Sequence, residues 1–249
     1  MENGAFLKDS QIIVLGICIG VATIVASVIL SQGAFRIMKF TKENITVTGS
    51  AQKEIRSDYI VWACNVSRQS PDLAKAYVEL KADTERVIAY LKARQVNEKE
   101  MTTSQVRTEV LRKENMYYGD SSDVTGYLLT QNIEVKSHEV DKISLVSRES
   151  TELISQGIKF VSEAPGYFYT DLSQLKIEML AMATQNAKKR AESIAGSVGN
   201  KIGWMRSARM GVFQITPVTS TDISDYGEND TSSLDKKVMS VVSASFAIE

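Results

Sequence analysis

The sequence predicts an α+β fold, in which helices pack on mainly antiparallel sheets and one transmembrane helix precedes the folded part. An uncharged run from Ile12 to Leu30 stands out near the N-terminus. Beyond it, segments whose apolar residues alternate are followed by segments whose apolar residues recur every three or four, in the order ββα, ββα, βα, ββ. No stretch rich in Gly, Ser or Pro interrupts this order, so we predict an anchor segment at 1–43 and a folded domain at 44–249.

The apolar run has the length of a membrane span. Nineteen helical residues at about 1.5 Å each would cover about 28 Å, close to the hydrocarbon core of about 30 Å. A cleaved signal peptide is the alternative, since Ser31-Gln32-Gly33 offers small residues at which a peptidase could cut. Signal peptides usually have shorter apolar cores and a more basic start than Lys8 alone. We therefore predict a retained single-pass anchor.

A stripe of small residues runs along one side of this helix, at Gly16, Gly20, Thr23 and Ser27. Such a stripe lets neighbouring membrane helices approach closely, which favours self-association in the membrane. The alternative is that the glycines have no such role, because glycine is common in spanning helices.

The first half of the folded part begins with two alternating segments. ITVTG at 45–49 and YIVWACNVS at 59–67 predict two antiparallel strands, and Ser70-Pro71-Asp72 predicts a helix start with Ser70 as N-cap. The helix carries apolar residues at helical spacing through Leu91. Alternation at 102–111 and 127–137 predicts a hairpin with a long loop over 115–123.

The second half of the folded part is predicted from the same signals, which are helix caps, alternation and helical spacing. Asp141 is the predicted cap of a helix that closes at Gly157, and 158–171 predicts an irregular strand broken at Pro165-Gly166. The longest helix is predicted at 172–198, with alanines every four residues that allow close packing against a neighbour. The last two strands are predicted at 202–215 and 237–248.

An acidic connection lies between these last two strands, and Pro217 is expected to end the first of them. Its acids do not fit a calcium loop of the EF-hand type, since counting from Asp222 the twelfth position is Ser233 instead of glutamate. A loose cation site from Asp222, Asp225 and Asp230 stays open as an alternative. A connection this long is uncommon unless functional or disordered, so we predict contact with a neighbouring subunit through Asp222, Asp225, Tyr226 and Asp230.

Composition restricts the chemistry of the protein. The net charge is -1 and no basic cluster stands out, so nucleic acid is not an expected partner. His138 is the only histidine, and its charged neighbours favour a surface position over a catalytic one. Cys18 and Cys64 are the only cysteines, which leaves no disulfide framework or multi-cysteine zinc site. Cys64 alternates with Trp62 and Val66, which favours a buried inert thiol over a redox sensor. We predict no catalytic residues, cofactor or metal.

Several stretches resemble the SIMPL-domain proteins of the bacterial envelope. They are ITVTGSA, GYLLTQNIEV at 126–135, ELISQGIKF at 152–160 and LKIEMLAMATQNAKKRAESIAGSVGNKIG at 175–203, and MGVFQITPVTSTDISDYG resembles a membrane-anchored branch. The resemblance covers about 44–249. It implies an extracytoplasmic α+β domain, formation of hollow homo-oligomers in some members and a link to envelope or oxidative stress, without a catalytic motif.

Together these observations predict a non-enzymatic, membrane-anchored envelope protein that assembles with itself. Two alternatives are a ligand-binding, metal-binding or hydrolytic domain that uses the acidic 222–235 connection, and an oligomeric channel. A channel formed by the apolar helices of several subunits would have no polar lining beyond Thr23, Ser27 and Ser31. The basic residues Arg36, Lys39 and Lys42 after the span would place the folded part in the cytoplasm, whereas the resemblance implies the extracytoplasmic side.

Overall fold

The structure is a computed structural model that describes residues 3–115, 119–220 and 226–249, with side chains at 14–34, 43–113, 123–220 and 226–249. The described residues form four α-helices and nine β-strands, in antiparallel sheets that confirm the α+β prediction. In chain order these are α1 (Asn3–Lys42), β1 (Asn44–Arg56), β2 (Tyr59–Ser70), α2 (Leu73–Ala93), β3 (Met101–Thr103), β4 (Arg107–Asn115), β5 (Gly119–Ser137), α3 (Val140–Glu149), β6 (Lys159–Ser162), β7 (Gly166–Phe168), α4 (Leu172–Ser197), β8 (Ile202–Pro217) and β9 (Asp235–Ile248).

Helix α1 contains the predicted membrane span. Within the described residues, Val14–Ala34 is the one helical segment long and apolar enough to cross a membrane, by length and composition. Its large apolar side chains are exposed in the isolated chain. The segment is therefore a candidate membrane anchor, as the hydropathy predicts.

The chain divides by its contacts into two compact units, each built from separate stretches of sequence. Unit 1 comprises Met1–Ser50, Leu180–Gly211 and Val241–Glu249, and unit 2 comprises Ala51–Met179 and Val212–Ser240. Strands β1, β8 and β9 and helix α4 each contribute residues to both units. The boundaries thus fall inside regular elements.

Unit 2 contains a six-stranded sheet with its core on one face. The strand order is β3-β5-β2-β6. In addition, β4 pairs with another part of β5, and β7 pairs with another part of β2. Alternate β2 residues, among them Trp62 and Cys64, point to the buried face. Leu80 and Leu91 of α2 and Ile133 of β5 are buried in the same cluster. The alternating strand residues and the helix residues spaced by three or four are therefore buried against each other in one core of large side chains.

Unit 1 is packed with much smaller side chains. The predicted alanine stripe of α4 is buried, at Ala183, Ala187, Ala191 and Ala195. A Cβ built at Gly49 of β1 would lie 2.3 Å from the Ala183 carbonyl oxygen and 2.3 Å from the Ala187 nitrogen. Glycine at position 49 thus allows the helix backbone to approach the strand closely.

The pairing of the first two strands differs from the prediction. Strand β1 lies in a three-stranded sheet of order β1-β9-β8, whereas β2 is central in the six-stranded sheet. The expectation that β1 and β2 form an antiparallel pair is wrong, because the partner of a strand depends on distant buried faces that local alternation does not reveal.

The hairpin of β4 and β5 is longer than predicted. Pairing continues to Asn115 opposite Gly119, through residues predicted to form a loop. Irregular register between Leu111 and Glu114 accompanies this extension. The polar composition of the segment therefore does not distinguish a loop from paired strands.

Two helix caps also differ from the predictions. The N-cap of α2 is Asp72, whose carboxylate accepts hydrogen bonds from the Ala74 and Lys75 backbone N–H groups, while the Ser70 hydroxyl accepts from the Asp72 N–H. In α3 the N-cap position is Glu139, and Asp141 lies in the first turn with its carboxylate on Arg56. Both segments offer more than one polar residue at the helix start, so composition alone leaves the cap ambiguous by one or two positions.

Candidate contact loop and membrane helix

The connection between β8 and β9, residues 218–234, is called the β8–β9 loop below. Its second half is held by its own chain. The Ile215 N–H donates to the Glu228 carbonyl at 2.7 Å, and the Asp230 N–H donates to the Ile215 carbonyl at 2.9 Å. Ile215 and Asn229 form an isolated parallel bridge. Two further backbone bonds join the loop to β7 and to the β1–β2 connection, from Tyr167 N–H to Thr231 O and from Ser57 N–H to Leu234 O.

Gly227 provides the turn that leads into this fixed half. Its φ is +84°, a left-handed conformation that side chains other than glycine rarely adopt. A Cβ there would also lie 3.0 Å from the Phe213 carbonyl oxygen. Both the conformation and the space therefore require glycine.

A buried lysine on β9 also holds the β8–β9 loop in place. Lys236 is 2% exposed, and its Nζ donates to the Asp230 carbonyl at 2.5 Å and to the Tyr167 carbonyl at 2.7 Å. Burial lowers the pKa of Lys236, and the nearby Asp230 carboxylate opposes that shift. The ammonium group thus has two carbonyl acceptors and joins the loop to β7.

The Asp230 side chain is engaged within the loop. Its Oδ1 accepts hydrogen bonds from the Ser232 N–H at 2.8 Å and the Ser232 hydroxyl at 2.7 Å. Burial by itself raises the pKa of Asp230, but hydrogen bonds from Ser232 and Ser233, together with the charge of Lys236, outweigh it and lower the pKa. Asp230 therefore stabilises the shape of the loop.

The other members of the predicted contact set have different positions. Asp222 and Asp225 lie outside the described residues. Tyr226 is fully exposed, immediately before Gly227. Of the four residues, the structure thus describes one with an internal role and one that faces outward, and contact with another subunit stays a prediction.

The chemical candidates show the properties of structural residues. Cys64 is buried, and burial together with the charge of Glu163 raises the pKa of its thiol to about 12. A thiol with such a pKa is a poor nucleophile at neutral pH, which supports the interpretation as a core residue. No group of three His, Cys, Asp or Glu side chains in the described part of the chain could hold a metal ion.

His138 lies at the surface, as predicted. Its Nδ1 is 2.9 Å from the Asp58 carbonyl oxygen, and its ring packs edge-on against Tyr59 at 4.8 Å. It borders a shallow depression of about 540 Å³ that also contains Arg56, Asp141 and Lys142. The depression is wide and solvated, so it lacks the protection that general acid/base chemistry needs.

The small-residue stripe of α1 is exposed and unobstructed. Nothing lies within 4 Å of a Cβ built at Gly16 or Gly20. The Thr23 hydroxyl donates to the Gly20 and Ile19 carbonyls of its own helix, at 2.8 and 3.0 Å. The stripe, which ends at Ser27, therefore has a satisfied polar group and a flat surface that another helix could cover.

The sequence interpretation missed Lys236, although a signal was present. Lys236 has the same strand parity as Val238 and Val242, both buried, so alternation already directs its side chain inward. The need for glycine at position 227 depends on the path of Phe213 and could not be read from local sequence.

Comparison with known proteins identifies the family. The model of SIMPL, a protein family of unknown function (DUF541), matches residues 45–246. The chain belongs to the SIMPL family. The resemblance identified from the sequence motifs is therefore confirmed over nearly the whole folded part.

Other comparisons add nothing on fold or function. A search of curated proteins finds no match. A putative amidohydrolase/peptidase from Burkholderia cenocepacia has 14% identity and a TM-score of 0.20, covering 51% of this chain, which spans 32% of that one. The ligand-free regulatory subunit of aspartate kinase from Thermus thermophilus has 10% identity and a TM-score of 0.17, with coverage of 80% and 88%. Likeness this weak carries no argument.

Proposed function

We propose that this SIMPL protein is a non-enzymatic, membrane-anchored envelope protein that assembles into a homo-oligomer, with its folded part on the extracytoplasmic side. The observation that carries the proposal is the exposed Tyr226 in the middle of the β8–β9 loop, directly before the half that Gly227 and Lys236 fix. Aromatic side chains on preorganised backbone are typical of interface hot spots, because little conformational entropy is lost on binding.

A second contact surface, on the membrane helix α1, supports the same proposal. The stripe with Gly16 and Gly20 allows α1 helices of neighbouring subunits to pack closely. In the same assembly, the β8–β9 loop of one subunit contacts the folded part of another. Two weak contacts in one molecule reinforce each other through effective concentration, so neither has to be strong alone.

The hydrolytic or metal-binding alternative is less well supported. The Asp230 Oδ1 atom accepts from Ser232 and the Oδ2 atom is buried, which leaves the carboxylate poorly placed to act on an external ligand. A role in envelope or oxidative stress belongs to our proposal, and because the Cys64 thiol is buried it would act through assembly and not through oxidation of that thiol.

The oligomer is tested by measuring the mass of the full chain in detergent by light scattering at micromolar concentration. We expect a species of several subunits, and Tyr226→Ser should shift it toward smaller species because the aromatic contact is lost. Tyr77→Ser is a matched control, since Tyr77 is a half-exposed tyrosine on α2 away from the loop. A wild-type monomer would contradict the proposal, and equal effects of both variants would remove the loop from it.

Deletion of the loop is a poorer test of the oligomer, because Glu228, Asp230 and Thr231 make backbone hydrogen bonds to Ile215 and Tyr167 of the same chain. Removing 222–233 would therefore disturb the fold as well as any contact. The point substitution at Tyr226 separates the two effects.

Orientation is tested by fusing alkaline phosphatase or a fluorescent protein to the C-terminus. We expect phosphatase activity and little fluorescence if the folded part is extracytoplasmic. Strong cytoplasmic fluorescence without phosphatase activity would overturn the location and favour the orientation that Arg36, Lys39 and Lys42 indicate.

A further inference from the structure

We propose that the β8–β9 loop of one subunit binds along the open edge of strand β8 in a second copy, so that its acidic stretch 221–226 pairs with residues 204–211. Residues 204–211 are called the β8 edge segment. The inference rests on the homo-oligomer of the proposed function and names the surface that the loop contacts. It does not depend on the membrane helix or on the side of the membrane.

The β8 edge segment is uncovered in the described part of the chain. Strand β8 is the last strand in the order β1-β9-β8, so one of its two edges has no partner strand there. All eight residues of the segment are exposed, and Trp204 is 84% exposed. A strand with one covered face would alternate between buried and exposed residues, so neither face of this segment is covered. Such an edge presents backbone N–H and C=O groups to which another extended segment can bind.

The opposite edge of the same sheet, strand β1, is closed by side chains of α4. Arg190 Nη1 donates to the Thr48 carbonyl at 2.9 Å, and the Ser50 N–H donates to Asn186 Oδ1 at 3.2 Å. A strand added to β1 would have to displace both contacts. Of the two edges, the β8 edge is therefore the one that a second copy can pair with.

The loop of the same chain is too short to cover the whole segment. It leaves β8 at Pro217, and Gly227 lies against Phe213 of the same strand. The connection 218–226, even if fully extended at about 3.6 Å per residue, reaches back along β8 only about seven residues before Pro217. Residues 204–209 lie beyond that reach. A partner for this part of the edge must come from another chain.

Charge favours the acidic stretch of a second copy as that partner. Strand β8 contains Arg206 and Arg209 and no acidic residue, whereas 221–226 contains Asp222 and Asp225 and no basic residue. Residues three apart on an extended chain are separated by about 10 Å and lie on opposite faces. Each arginine therefore meets an aspartate in either a parallel or an antiparallel pairing. Two β8 strands paired with each other would instead bring four arginines together without an acid.

The side chains of the β8 edge segment suit this partner. Arg209 is exposed and forms no ion pair with a described residue. Arg206 has an interaction within its own chain, and the five N–H donors of a guanidinium allow it to bind a carboxylate as well. Tyr226 would lie beside Met205 in an antiparallel pairing and beside Met210 in a parallel one. Both methionines are exposed, and a thioether packs favourably against an aromatic ring.

Disulfide formation between two differently tagged copies tests the contact in the full chain in detergent. Both copies carry Cys18→Ser, which removes the exposed thiol. One copy carries Ser207→Cys, and the other carries Ser224→Cys or Ile223→Cys. We expect a disulfide between the copies, mainly through position 224 if the pairing is antiparallel and through position 223 if it is parallel. Ser155→Cys in place of Ser207→Cys is the control, since Ser155 is an exposed serine elsewhere, and it should give none.

Two other disulfides would overturn the proposal. A disulfide between two copies that both carry Ser207→Cys would mean that β8 strands pair with each other. A disulfide within one chain that carries both Ser207→Cys and Ser224→Cys would mean that the loop covers its own strand. Absence of any disulfide at position 207 in an oligomeric sample would mean that the β8 edge segment is not the contact surface.

Charge reversal tests the ion pairs independently. Arg209→Glu should shift the mass measured by light scattering toward smaller species, whereas Lys189→Glu, an equal change of charge at an exposed position of α4, should not. Adding Asp222→Arg or Asp225→Arg to Arg209→Glu should restore assembly, for an antiparallel or a parallel pairing respectively. An unchanged mass of Arg209→Glu, or no restoration by either second change, would overturn this inference while the oligomer remains. A monomeric wild type would instead refute the proposed function itself.

Discussion

Helices α2 and α4 pack on sheets by different means. Helix α2 buries large side chains, including Leu80, Val87 and Leu91. The buried positions of α4 recur strictly every four residues, and from Ala183 onward they are all alanines, with Gly49 opposite two of them. The first arrangement is stabilised mainly by removal of apolar area from water, and the second by close approach of backbones.

The difference predicts opposite sensitivities to mutation. A face built from large side chains is damaged when volume is removed, because a cavity remains. A face built from glycine and alanine is damaged when volume is added, because no space exists. Substitutions at buried positions of each helix therefore test this difference in packing.

The largest effect is expected for Leu80→Ala on α2. Leu80 is fully buried, and its truncation should lower the free energy of unfolding by about 2–5 kcal/mol. Urea denaturation of the full chain in detergent, followed by circular dichroism, measures the change. Leu145→Ala is the control, since Leu145 on α3 is about half exposed and should lose much less. Equal losses would contradict the large-side-chain description of this core.

A smaller effect is expected for Gly49→Ala. The new methyl group would meet backbone atoms of Ala183 and Ala187, which should cost about 1–3 kcal/mol in the same measurement. Gly196→Ala on α4 is the control, because nothing lies within 4 Å of a Cβ there. That control should gain up to about 1 kcal/mol, since alanine favours helix over glycine. A neutral Gly49→Ala would show that the backbones do not pack closely.

The sequence predicted the extents of many elements better than their partners. Helix α4 was predicted at 172–198 and is found at Leu172–Ser197, and β8 ends at Pro217 as expected. Period and proline are local signals, so they are readable without the fold. The pairing of β1 with β9 and the approach of Gly49 to Ala187 join residues more than 130 positions apart, and no local pattern specifies such contacts.

The smallest effect is expected in the β8–β9 loop, where polar contacts replace packing. Asp230→Ala should lower stability by about 1 kcal/mol at neutral pH, because the hydrogen bonds from Ser232 are lost. The pKa of Asp230 is lowered in the folded state, so the contribution of its charge is present above the unfolded pKa of about 3.9. It should disappear as the pH falls through the lower folded pKa.

Denaturation curves between pH 7 and pH 3 measure this dependence. Asp230→Asn keeps an acceptor for the Ser232 N–H but has no titrating carboxyl group. The difference between wild type and this variant should therefore shrink as the pH falls. A difference that stays constant over this range would show that the Asp230 charge does not stabilise the loop.

The single residue between α1 and β1 has a mechanical consequence. A flexible linker would let a folded part tumble above its anchor, whereas Glu43 alone leaves no slack between the helix and the sheet. Rotation of α1 about its own axis must then turn unit 1 by the same angle. In the proposed homo-oligomer, the angle at which two α1 helices meet would therefore determine which side of unit 1 faces the next subunit.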